Sequence, residues 1–180
     1  MKIEDGTGKG YKARVDDENR LRAFAVTEPE DKHINREGKC WSVTQSTTPV
    51  GANDYVFYFK NTGTETIAIT DVRAFCAGAS ILYIVVADGT PSYTASADLT
   101  PVARNLGSSK TITATIKEDT NITGITNGGA LFSIPCPVAN TEYHLRTSSN
   151  IIVPQGQAVA MYTTGTTAVE SLWSIVGLDS

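Results

Sequence analysis

Tyr55-Val56-Phe57-Tyr58-Phe59, Asn61-Thr62-Gly63-Thr64-Glu65, Thr66-Ile67-Ala68-Ile69-Thr70-Asp71-Val72 and Ile81-Leu82-Tyr83-Ile84-Val85-Val86 follow one another within residues 54–87. The first run is aromatic and β-branched, the residue types that pack on a pleated surface. The second is a turn, with Gly63 free to take a positive φ. The third returns with period-2 alternation. Its inward set is Ile67, Ile69 and Val72, which requires a small irregularity between the last two. After a break at Gly78, the fourth run is apolar on both faces and suits the interior of a sandwich better than its edge. Strand, turn, strand, break, strand is the pattern, and it sets the fold class.

Working outward, further strands are expected at Trp41–Gln45, Tyr55–Lys60, Thr66–Phe75, Ile81–Ala87, Lys110–Ile116 and Ala130–Ile134. Others follow at Glu142–Leu145, Ile151–Val153, Ala158–Tyr162 and Leu172–Val176. Turn signals separate them: Pro49-Val50-Gly51, Asp88-Gly89, Asn127-Gly128-Gly129, Pro154-Gln155-Gly156 and Thr164-Gly165-Thr166. Many short strands without intervening helices predict an all-β fold, an antiparallel β-sandwich or jelly-roll-like body. Residues 87–107 are the longest stretch without a period. A loop of that length is usually functional or held by a neighbouring subunit.

A chain of 180 residues with 41% hydrophobic content needs only one core. A net charge of −4 argues against a nucleic-acid-coating surface. No apolar run approaches the ~18 residues of a membrane span, and Met1-Lys2-Ile3-Glu4-Asp5 lacks the apolar core of a secretory signal. Cys40, Cys76 and Cys136 are widely spaced and odd in number, the pattern of buried thiols in a reducing compartment rather than of a disulfide framework.

Charge is unevenly spread. Residues 1–40 hold 18 of the 34 charged side chains, and the rest of the chain is rich in Thr, Ser, Ala and Gly. The division expected is a charged N-terminal arm, 1–39, and a β-sandwich body, 40–180. In the arm, Tyr11–Val15 and Leu21–Val26 read as short strands joined by the polar turn Asp16-Asp17-Glu18-Asn19. Glu28–Glu37 has the layout of a helical turn, with Pro29 early and Gly38 closing it. Its one strongly apolar residue, Ile34, is too little to bury a face on a core of its own.

The candidate chemistry is thin. Gly6-Thr7-Gly8-Lys9-Gly10 fails as a phosphate loop, because Ile3 stands where the first Gly belongs and Gly10 follows the Lys. Neither His33 nor His144 has companions at metal-ligand spacing, although Glu142 and His144 share a strand face and could reach one ligand. Asp16-Asp17-Glu18 lacks the spaced acids of a Ca²⁺ loop. Asn121-Ile122-Thr123 is a glycosylation sequon by form only. No Gly-x-Ser-x-Gly is present. The expectation is no enzyme, no cofactor, no metal and no nucleotide. Trp41, Tyr83, Tyr162 and Trp173, one per strand, read as core or interface residues more readily than as a sugar-binding face.

The opening Asp5-Gly6-Thr7-Gly8-Lys9-Gly10-Tyr11-Lys12-Ala13-Arg14-Val15, with Asn19-Arg20-Leu21 and Phe24-Ala25-Val26, resembles the start of small head-associated virion proteins of tailed bacteriophages. The likeness continues through Tyr58-Phe59-Lys60-Asn61-Thr62-Gly63, Leu99-Thr100-Pro101, Gly128-Gly129-Ala130-Leu131-Phe132 and Ile151-Ile152-Val153-Pro154-Gln155-Gly156. Val102-Ala103-Arg104-Asn105-Leu106 departs from the Asn-rich form of that family. The resemblance implies a capsid decoration or cement protein on the virion surface, made in the host bacterial cytoplasm. Its implied partners are the major capsid protein and its own copies, a trimer being favoured by threefold capsid positions. Neither nucleic acid nor membrane is an implied partner. Capsid contact would fall on Lys9, Tyr11, Lys12, Arg14, Arg20, Arg22 and Phe24. The alternatives are a tail, neck or baseplate component, or a carbohydrate-binding module on the virion.

Overall fold

The structure, a computed structural model, describes residues 34–94 and 96–178, with backbone alone at 146–149, and the backbone of 14–15 and 21–22. The chain divides into two units, residues 1–32 and 33–180. In the first, β1 (Arg14–Val15) pairs antiparallel with β2 (Leu21–Arg22), setting Arg14 opposite Arg22 and Val15 opposite Leu21. The expected polar turn at Asp16–Asn19 lies outside the described residues, as does Glu28–His33 of the expected helical turn. Only residues 34–36 of that turn are seen as helix.

The second unit is built from β3 (Cys40–Thr47), β4 (Tyr55–Asn61), β5 (Thr66–Cys76), β6 (Ser80–Ser92), β7 (Ala97–Asp98) and β8 (Val102–Ala103). Then follow β9 (Ala114–Cys136), β10 (Thr141–Val153), β11 (Ala158–Thr163) and β12 (Val169–Leu178). They form two antiparallel sheets, in the orders β10-β5-β12-β3-β8 and β4-β11-β6-β9-β7. The pairing is nested: β3 with β12, β4 with β11, β5 with β10, β6 with β9. That is a long ribbon folded over on itself, the winding of a jelly roll.

The core lies between the sheets and is filled by alternate residues of each strand. Ile67, Ile69 and Val72 all point into it. The irregularity that this set demands is Thr70, an extra residue against β12, at the point where the register with β10 also shifts between Ile69 and Asp71. Leu82 and Ile84 face the same core, while Val85 on the other face of β6 joins a second cluster with Tyr58, Ile122 and Ala160. At the centre, Phe57 of one sheet stacks on Trp173 of the other, with centroids 4.2 Å apart and planes 13° apart. The indole N–H donates to Ser171 Oγ at 2.8 Å, that hydroxyl donates to Gln45 Oε1 at 2.8 Å, and Gln45 Nε2 donates to the Val169 carbonyl at 3.4 Å. The turn at Asn61–Glu65 is held by the buried Asn61 amide, which donates to the carbonyls of Glu65 and Val153 and accepts from the Gly63 N–H.

Three expectations are corrected. Asp88-Gly89 and Asn127-Gly128-Gly129 do not reverse the chain. Both lie inside long strands, so the strands expected within 110–134 become one β9 of 23 residues. Its first half pairs with β4 and its second half with β6, which closes β4, β11, β6 and β9 into a ring around the second cluster. The glycines serve this curl: Gly89 (φ 92°) and Gly124 (φ 74°) lie where the two backbones approach closely. Second, the strands expected at Glu142–Leu145 and Ile151–Val153 are one β10 with a bulge. Third, residues 87–107 are held by this chain's own body. β6 runs to Ser92, Asp119 accepts the Thr94 N–H at 2.6 Å, β7 pairs with β9, and β8 pairs with β3.

Ile34 packs on Cys40, Ala68 and Val176, covering part of the outer face of the first sheet, so residues 34–39 lie with the body.

Ile84→Ala, which empties a fully buried site, is expected to cost about 2–5 kcal/mol in urea unfolding. Gly124→Ala places a Cβ 2.4 Å from the Thr90 carbonyl at a positive φ. It is expected to cost at least about 1–3 kcal/mol, and more than Gly156→Ala, which shares the positive φ but meets open space. Equal losses at the two glycines would show that the close approach is not what holds the curl.

Candidate functional site

Among the residues expected to contact a capsid, Lys9, Tyr11, Lys12, Arg20 and Phe24 lie outside the described residues. Arg14 and Arg22 are cross-strand neighbours in the β1–β2 pair.

The body offers two further groupings. The outer face of the first sheet carries a row of charge. Arg73 Nη1 lies 3.7 Å from Glu142 Oε1, Arg73 Nε donates to Asp71 Oδ2 at 3.4 Å, and His144 Nε2 contacts Asp71 Oδ1. β5 and β10 set these residues side by side, with Arg73 opposite His144 in register. Glu142 and His144 therefore do not converge on a ligand. Each is engaged by a residue of β5. On the same face Arg104 donates to the hydroxyls of Ser42 and Ser174. Elsewhere Lys39 is 3.6 Å from Glu65, and Lys117 is 2.7 Å from Asp98. Much of the body's charge is thus matched internally, and exposed pairs of this kind contribute only ~0–1 kcal/mol each.

The second grouping is aromatic. Register brings Tyr55 of β4, Tyr162 of β11 and Tyr83 of β6 to one level across three neighbouring strands. Tyr83 and Tyr162 stack at 4.9 Å, and Tyr55 meets Tyr162 edge to face at 5.3 Å. With Tyr58 and Tyr93 they surround the second cluster, so five of the chain's seven tyrosines gather in one place. The sequence shows Tyr83 and Tyr162 as isolated aromatics and Tyr55 as part of the run Tyr55-Val56-Phe57-Tyr58-Phe59. Tyr83 and Tyr162 sit on the outward parity of strands whose other face is core, while Tyr55 shares the parity of Phe57 and Phe59 and is turned to the row by the register shift between Tyr55 and Phe57. Of the aromatics considered as a sugar-binding face, Trp41 and Trp173 are buried between the sheets. Tyr162 has ring partners in both Tyr55 and Tyr83, which leaves it little free face for a sugar to stack on.

Burial raises the phenols of Tyr55 and Tyr58, and that of Tyr162 as well. Tyr93 is pushed up to about 12, by burial first and then by Tyr58, Asp98 and Asp119. Lys117 Nζ sits 5.4 Å from the centre of its ring.

Among the described residues no group of three His, Cys, Asp or Glu side chains is placed to hold a metal ion, and no helix is long and apolar enough to cross a membrane. No family model, curated protein or solved structure matches the chain.

The fold favours the neutral phenol of Tyr93. This stability is complete below the ordinary tyrosine value of about 10 and is lost as pH rises toward about 12. Thermal midpoints measured from pH 9 to 12 should fall for the native chain and fall less for Tyr93→Phe. Identical slopes for the two proteins would remove Tyr93 from the account.

Proposed function

We propose that this chain is a structural virion protein of a tailed bacteriophage, a capsid decoration or cement protein that binds the assembled head as a trimer. The observation that carries the reading is the division of the chain. A highly charged unit of residues 1–32 precedes an all-β body. The arm is the attachment element and the sandwich is the packing and display element. Three further points support this. The resemblance spans nearly the whole chain. The body matches several of its own charges internally. Its jelly-roll winding is an architecture used by viral capsid and lectin domains, which is an analogy of fold only. The sugar-binding alternative loses ground to the occupied rings of the tyrosine row. A tail, neck or baseplate position would use the same arm-and-body logic.

Attachment through an arm of mixed charge is weak per contact and gains strength from three arms acting together. Added strand pairing by β1 and β2 would contribute backbone hydrogen bonds. Such binding should weaken as salt is raised.

The packing of residues 34–39 on the body makes His33 the place to cut. A chain beginning at His33 is expected to fold and form the same oligomer as the full chain, yet fail to bind undecorated heads in co-sedimentation. Full occupancy of heads by the shortened chain would refute the arm's role.

A further inference from the structure

Cys76 is the last residue of β5 and Cys136 the last residue of β9, so the two stand on opposite sheets at one end of the sandwich. Both are wholly buried in the same core cluster, where each thiol lies within the other's electrostatic reach, and Cys136 Sγ sits 3.6 Å from the Ile134 carbonyl oxygen. The backbone around them is pinned twice. Cys136 pairs with Ser80, four residues beyond Cys76, while Cys76 pairs with Thr141, five residues beyond Cys136. The Asn140 N–H also donates to the Cys76 carbonyl at 2.9 Å. Two short links, residues 77–79 and 137–140, follow the two cysteines in sequence, and most of their residues are exposed. Cys40 lies on the other face of the first sheet, in the cluster with Ala68 and Val176.

We propose that Cys76 and Cys136 form a latent disulfide site, free thiols that a peroxide converts into a covalent tie between the two sheets. Two thiols buried in one cluster, on backbones held by pairing on both sides, need little movement to reach bonding geometry. The thiolate of Cys76 attacks a peroxide oxygen. The O–O bond breaks, hydroxide leaves and takes up the displaced proton as water, and a sulfenic acid remains. Cys136 Sγ then attacks that sulfur, the S–O bond breaks, and a second water leaves. The protein loses two hydrogens and two electrons, and one peroxide is reduced to two waters. The order follows from the neighbouring Cys76, which raises Cys136 further than burial alone, so Cys76 ionises first. Burial raises both thiols, Cys136 to about 12, which keeps the pair slow at neutral pH and faster as pH rises. A protein passing from a reducing cytoplasm into oxidising surroundings would then acquire the bond after folding. The chemistry itself does not rest on the virion reading.

The test uses the full chain, treated with hydrogen peroxide at several pH values. It is followed by non-reducing mass measurement, peptide mapping and thermal melts. The expected result is loss of two hydrogens, a linked peptide pair containing Cys76 and Cys136, a rate that rises with pH, and a midpoint higher by about 5–15 °C. Cys40→Ser should behave as the native chain. Cys136→Ser should stop at a sulfenic acid on Cys76 that a cyclic diketone captures. Thiols that stay free under excess peroxide, a link through Cys40, or a lowered midpoint in the linked chain would each overturn the proposal.

Discussion

The sandwich depends on one aromatic contact that has a polar condition attached. Phe57 and Trp173 stack across the sheets, and the indole can lie there only if its N–H finds an acceptor in a dry interior. Ser171, Gln45 and the Val169 carbonyl supply a relay of buried hydrogen bonds. Two of the four groups in that relay are side chains of β12 and one is from β3, which sets the two strands against each other. Sliding β12 by one residue would turn Trp173 to the outside and bring Leu172 or Ser174 inward, breaking the stack and the relay together. The register of the first sheet is therefore specified by chemistry as well as by apolar pattern.

Much of this was legible in the chain. The apolar runs from Tyr55 to Val86 marked three strands, and the need to bring both Ile69 and Val72 inward pointed to the bulge that Thr70 provides. What escaped was the length of the strands whose faces are wet. Thr123 to Ser133 in β9 is mostly exposed, so it carries no apolar alternation to reveal it. Its glycines look like a reversal when read locally. A positive φ serves a sharp bend within a strand as well as it serves a turn, and only the closure of the ring distinguishes the two. Pairing partners were invisible for another reason. Cys40 pairs with Val176, and no local signal links positions so distant. The tyrosine row is hidden in the same way, since its members meet only through the registers of β11 with β4 and β6.

In the body, Arg73, Asp71, Glu142 and His144 form a connected row, and Lys117 is matched by Asp98. In the first unit, Arg14 and Arg22 stand opposite each other in backbone register. A surface whose charges are already matched gains little from a charged partner.

The nested pairing also has a consequence for how the protein is made. β12 lies between β3 and β5, so both of those strands lack their central neighbour until Val169–Leu178 has left the ribosome. The aromatic stack at the centre of the core is completed by the same segment. Folding of the first sheet must therefore wait for synthesis of its last strand, and the nascent chain meanwhile carries apolar strands with unpaired edges. Long-range pairing of this kind closes slowly. While β12 is still unmade, the growing chain is the form most exposed to aggregation and most in need of a chaperone.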